Sequence, residues 1–89
     1  LIKPNSTDAR YHFAISLRDA NYPVDAAQEL RDLLAEAPDE SRARFTLAVL
    51  YAQSLEEPVL AQQQYQKLLE LEPNHPEAPA IRQWLATRP

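Results

Sequence analysis

The chain has 89 residues, 45% hydrophobic and 25% charged, with a formal net charge of −4 and a pI near 5.0. That length supports one small domain with a modest core, the composition is that of a folded protein, and the acidic balance argues against nucleic acid. The absence of Gly and Cys excludes glycine-rich phosphate loops, GxSxG nucleophile elbows, disulfide frames and zinc–thiolate sites, and no apolar run reaches the length of a membrane span.

In chain order, Leu1-Ile2-Lys3-Pro4 resembles the close of an apolar helix, so residues 1–4 are read as the tail of a preceding repeat or as a linker. The chain is then expected to be a segment of a longer protein. A first helix is predicted from about Thr7 to Ala20, with Ala9, Phe13, Ala14 and Leu17 on one face. Ser6 or Thr7 can cap its start, and Asn21 can close it in the left-handed conformation that Asn tolerates. A second helix is predicted from about Tyr22 to Ala37, opened by Pro23 and stopped by Pro38, with Ala26, Ala27, Leu30, Leu33 and Leu34 as its apolar stripe. The third runs from about Ser41 to Ser54, with Asp39 or Ser41 near its cap and Leu47, Ala48, Leu50 and Tyr51 inward. The fourth starts at Pro58, carries Ala61, Tyr65, Leu68 and Leu69, and ends at Pro73. Asn74-His75-Pro76-Glu77 reads as a capping-box variant before a fifth helix, about Pro76 to Thr87, that buries Ala78, Ile81 and Leu85. Trp84, the sole Trp, either covers the end of the stack or offers a contact to a neighbour. Short connections imply antiparallel neighbours, and the fold class expected is all-α.

The elements repeat. Pro4, Pro38 and Pro73 stand 34 and 35 residues apart. Aligning Pro23–Pro38 with Pro58–Pro73 gives seven identities in 16 pairs, among them Ala26/Ala61, Leu33/Leu68 and Leu34/Leu69. Upstream the offset is 34, where Ala9-Arg10-Tyr11 matches Ala43-Arg44-Phe45 and Phe13-Ala14-Ile15 matches Leu47-Ala48-Val49. One extra residue therefore lies between, expected in the loop within Gln53 to Glu57, because a loop absorbs it without rotating a helix face. A period in the thirties signals helix hairpins that bury their apolar faces only by stacking.

These residues resemble the tetratricopeptide repeat family. The pattern is a large then a small residue (Phe13-Ala14, Leu47-Ala48), a large one three further on (Leu17, Tyr51), and an early Ala in the second helix (Ala26, Ala61). Then come Leu30/Tyr65, Leu33/Leu68 and Pro38/Pro73. The resemblance divides the chain into residues 5–38 as repeat one, 39–73 as repeat two and 74–89 as a C-terminal capping helix. Arg10 and Arg44 stand where the family often has Trp; Ala14, Ala48 and Asn21 stand where it often has Gly. It implies a short right-handed α-solenoid whose first helices line a concave groove. The groove positions would be Asp8, Tyr11, Ile15, Arg18 and Asp19, then Arg42, Phe45, Val49, Ala52 and Gln53. Tyr11, Ile15, Phe45 and Val49 would form an apolar strip with Arg18 and Arg42 at its rim, residue types suited to binding hot spots. The alternative is that Tyr11 and Phe45 pack on neighbouring helices. The Lys and Asn of the family's clamp for chaperone C-terminal carboxylates are absent from the matching positions.

Charge is uneven. The two first helices carry Arg10, Arg18, Arg42 and Arg44 against Asp8 and Asp19, whereas the second helices and their turns carry Asp25, Glu29, Asp32, Glu36, Glu56, Glu57, Glu70 and Glu72 against Arg31 and Lys67. A groove more positive than the back would favour an acidic or C-terminal peptide. His12 and His75 lack metal-ligand spacing, and the acidic pairs Asp39-Glu40 and Glu56-Glu57 fall at helix starts, where the dipole favours them. The expectation is a non-enzymatic scaffold, without cofactor, that binds a protein or peptide partner, with no nucleic acid and no membrane insertion. Two alternatives are a structural module that self-associates or docks a neighbouring domain, and an accessory domain of a larger enzyme.

Overall fold

A computed structural model describes residues 6–87; the expectation for residues 1–4 lies outside them. The element order is α1 (Thr7–Asp19), α2 (Pro23–Glu36), α3 (Ser41–Val49) continued by a π-helical turn (Leu50–Ser54), α4 (Pro58–Leu71) and α5 (Ala78–Ala86). The protein is all-α, 78% helical and without strands among the described residues.

Local chemistry accounts for most boundaries. Ser6 Oγ accepts the Ala9 N–H at 3.0 Å and caps α1. Asn21 has φ 68° and closes α1 in a Schellman arrangement, its N–H donating to Arg18 O and the Tyr22 N–H to Leu17 O at 2.8 Å. Pro23 and Pro58 stand in the first turns of α2 and α4, where a missing N–H loses nothing. Two caps differ from expectation. Glu40 is the N-cap residue of α3 with no side-chain cap bond; its carboxylate instead accepts from Arg42 Nε at 3.1 Å. The Asn74–Glu77 capping box does not form: Glu77 is the N-cap residue of α5, and its N–H donates to His75 Nδ1 at 3.0 Å. Pro76 disfavours helical backbone at His75, so a helix opening at Asn74 is blocked and the imidazole takes the cap's place.

The extra residue of the second unit sits in the helix, not in the loop. At the first corner Tyr22 N–H reaches back to Leu17 O; at the second, Glu57 N–H reaches Tyr51 O at 2.8 Å, one residue further back, and Leu55 N–H bonds Leu50 O. Leu50–Ser54 is therefore a π-turn, the form that holds one inserted residue inside a helix. Placed in the last turn, it rotates only the residues beyond it and leaves Leu47, Ala48 and Tyr51 buried. Glu56, with φ 51°, then takes the left-handed role of Asn21.

The core follows the predicted stripes of the later helices, whereas in α1 only Ala14 is buried, Leu17 packs against the core, and Ala9 and Phe13 are half-buried outside it. Leu30, Leu33, Leu47, Leu50 and Leu68 are the largest fully buried side chains. Ala14, Ala26, Ala27, Ala43, Ala48 and Ala61 are all within 1% of complete burial, which lets helix backbones approach closely. α3 packs on both α2 and α4, and α5 packs on α4. α1 meets α3 through partners 34 and 35 residues apart: Arg42 Nη1 donates to Asp8 Oδ1 at 3.1 Å, and the Tyr11 and Thr46 hydroxyls hydrogen-bond at 3.2 Å. The two contacts advance together along both helices, so α1 and α3 run side by side in the same direction. Trp84 covers Tyr65, ring centroids 5.1 Å apart, and is half-buried against the core, which is the covering role of its two expected ones.

Candidate functional site

The six residues expected to form a binding strip lie on α1 and α3, and the structure gives them unequal surroundings. Tyr11 and Arg42 meet directly: the guanidinium carbon lies 4.6 Å from the ring centroid, a cation–π distance. Arg42 is also held by Glu40 and Asp8, whose hydrogen bonds, Glu40's the stronger, raise its pKa above the ordinary guanidinium value. Arg18 donates through Nε and Nη2 to Asp19 Oδ1, both at 3.0 Å. Both rim arginines are thus presented with a carboxylate already attached. His12 stands edge-on to Tyr11 at 5.5 Å, with Nε2 3.6 Å from Asp8.

The apolar members divide. Val49 and Phe45 are half-buried and packed on the core. Phe45 stacks on His75 at 5.4 Å and tilts against Tyr65 at 6.4 Å, so one of its faces belongs to the junction with α5. Ile15 is half-buried and stands outside the side chains clustered on the core. Tyr11 packs on the core as Phe45 and Val49 do, so of the four apolar members only Ile15 stands outside it.

Arg10 and Arg44, counted among the positive charges of the first helices, turn away from that face. Arg10 Nη1 pairs with Glu36 of α2. Arg44 is 9% exposed; Nη1 donates to Gln64 Oε1 and Nη2 to the Pro38 carbonyl, each at 2.8 Å. Its Nε is buried without a partner among the described residues, and burial lowers its pKa. Each lies one residue before Tyr11 or Phe45, about 100° round the helix, on the flank that faces the second helix of its hairpin. The surplus of positive charge expected on the α1/α3 face is reduced accordingly.

Sequence reasoning did not single out Thr46 and His75. Thr46 lies one residue beyond Phe45, the repeat equivalent of Tyr11, and its contact with Tyr11 depends on how α1 packs on α3, which the period does not state. His75 carried no signal, because its stacking depends on the non-helical turn before α5. Among the described residues no group of three His, Cys, Asp or Glu side chains is placed to hold a metal ion, and no helix is long and apolar enough to cross a membrane. No protein-family model matches the chain, and no curated protein matches it.

Proposed function

We propose that this chain is a helical-repeat interaction scaffold of the tetratricopeptide type, which captures a peptide or helix of a partner protein on the face shared by α1 and α3. The observation that carries this reading is the side-by-side, same-direction placement of α1 and α3, with partners 34 and 35 residues apart. That placement aligns Tyr11, Ile15, Phe45 and Val49 across two helices instead of scattering them. Tyr11 and Ile15 offer apolar surface beside two arginines, the residue types that anchor interfaces. Arg18 and Arg42 read polar groups of the ligand by exchanging an internal carboxylate for an external one. The reading covers residues 5–38 and 39–73 as two repeats and 74–89 as the cap.

The test is selection of binders from a random peptide library displayed on phage, followed by titration of the selected peptides against Ile15→Glu combined with Arg42→Ala. Both substitutions fall outside the core cluster, so circular dichroism should be unchanged. Selected peptides should carry apolar residues with a carboxylate, and their affinity should drop roughly tenfold or more. Undiminished binding to the double variant would move the site elsewhere.

A further inference from the structure

The large apolar side chains left on the surface are not scattered. Of the five among the described residues, Tyr22, Val24, Val59, Leu60 and Leu71, four belong to the two corners where a first helix turns into a second. Tyr22 is 56%, Val24 65% and Val59 63% exposed. Val24 and Val59 are repeat equivalents, each directly after the proline that opens its helix. α2, which opens from the first corner, packs on the π-helical turn that leads into the second, so the corners Ala20–Tyr22 and Leu55–Glu57 lie at the same end of the molecule. Isolated surface apolar groups need no explanation, but a cluster on one edge does.

The charge on this edge is mostly negative, and the nearest cation, Arg18 in the last turn of α1, is bonded to Asp19. From Ala20 to Leu30 and from Ala52 to Gln66 the chain has no Lys, Arg or His. Asp25, Glu56 and Glu57 are exposed and make no ion pair among the described residues. We infer that this corner edge is a second docking surface, separate from the α1/α3 face, for a basic amphipathic segment of another protein: apolar residues flanked by Lys or Arg. A second copy of this chain is disfavoured, since a two-fold contact sets carboxylates against carboxylates. Anionic lipid and nucleic acid meet the same repulsion.

The probe is a synthetic amphipathic peptide of leucine and lysine, titrated into the full ¹⁵N-labelled chain and compared with the same peptide carrying glutamate for lysine. The leucine–lysine peptide should shift the amides of residues 21–25 and 55–61. Val24→Ser with Val59→Ser should weaken it roughly tenfold, and Glu56→Gln with Glu57→Gln should weaken it and flatten its salt dependence. All four positions are exposed, so circular dichroism should confirm an unchanged fold in both variants. The inference is overturned if the shifts centre on α1 and α3, if the serine variant binds equally well, or if the glutamate peptide binds as tightly. It is overturned as well if the unliganded chain sediments as a dimer that the serine variant dissolves, which would make a second copy the occupant.

Discussion

Gln64→Glu should stabilise this protein. Arg44 is a buried cation whose polar partners in the structure are neutral: Gln64 Oε1 and the Pro38 carbonyl, each at 2.8 Å. The cost of dehydrating the guanidinium is already present in the folded state, as its lowered pKa records. A carboxylate at the same distance adds an ionic attraction of about 4 kcal/mol at ~4 Å and an effective dielectric of ~20. Dehydrating the new carboxylate removes part of that, leaving a net gain of about 1–2 kcal/mol. The first hairpin already has this arrangement of residue types, with Arg10 and Glu29 at the positions that correspond to Arg44 and Gln64.

The pH dependence gives the gain a signature. Arg44 would hold the introduced carboxyl below its ordinary value of about 4.3. A depressed folded-state pKa contributes stability that is present above the unfolded value and lost as pH falls through the folded one. Urea unfolding followed by circular dichroism should therefore show the gain in full at pH 7 and its disappearance by about pH 2–3. In thermal unfolding it corresponds to a rise of about 4–8 °C per kcal/mol for a domain of this size. Gln64→Leu, which leaves Nη1 of Arg44 without its acceptor, should cost about 1–3 kcal/mol. Equal stability of the parent and Gln64→Glu at pH 7, or a gain that survives acid, would refute the assignment of Arg44 as an uncompensated buried cation.

Four further substitutions test the fold. Tyr65 has its phenol pushed above the ordinary 10.0 by burial first and the charge of Glu77 second; its stabilisation is complete below pH 10 and lost as pH rises through the raised value, so urea midpoints at about pH 9 and 11 should diverge less in Tyr65→Phe than in the parent. Glu56→Asn should raise stability by about 0.5–1 kcal/mol, since Glu56 holds a positive φ of 51° that Asn tolerates better, whereas Asn21→Val should lower it, both read from thermal midpoints. Phe45→Ala should cost about 2 kcal/mol in urea unfolding, because the ring packs on Tyr65 and His75 as well as lining the proposed strip.

Helix identity, the buried stripes of the later helices and the left-handed Asn21 were legible because each rests on spacing or on one residue's intrinsic preference. The register of α1 against α3 is a finding of the structure, seen in the Asp8–Arg42 and Tyr11–Thr46 contacts. Three further features were not legible, for physical reasons. The inserted residue entered a π-turn because Tyr51 and Leu50 are buried at 5% and 1% exposure, and tertiary burial held them inward while the turn widened; a count of residues cannot distinguish that from a longer loop. His75 became the acceptor for the start of α5 because Pro76 removed the helical alternative, a competition between two caps within four residues. Arg10 and Arg44 entered the positive charge of the groove because they lie on the first helices, yet each is one residue from a groove position, and one residue is a large rotation on a helix. Position along the chain is a poor guide to direction for a side chain as long as arginine.

The ion pairs on the α1/α3 face also set how the proposed ligand should respond to salt. Arg18 is already bonded to Asp19, and Arg42 to Asp8 and Glu40. A ligand carboxylate that binds Arg42 replaces an internal ion pair with an external one and leaves the number of pairs nearly constant. Screening, with a Debye length of about 10 Å at 0.1 M salt, then weakens the free and bound states to a similar degree. Affinity on this face should change by less than about threefold between 50 and 500 mM salt. At the corner edge, Asp25, Glu56 and Glu57 have no internal cation to exchange among the described residues, so a basic peptide there should lose affinity steeply over the same range. Fluorescence anisotropy at both salt concentrations, on the parent chain with one peptide for each surface, separates the two behaviours. A steep salt dependence on the α1/α3 face would mean that Arg18 or Arg42 is free in solution, and that the groove attracts its ligand by net charge instead of by exchange.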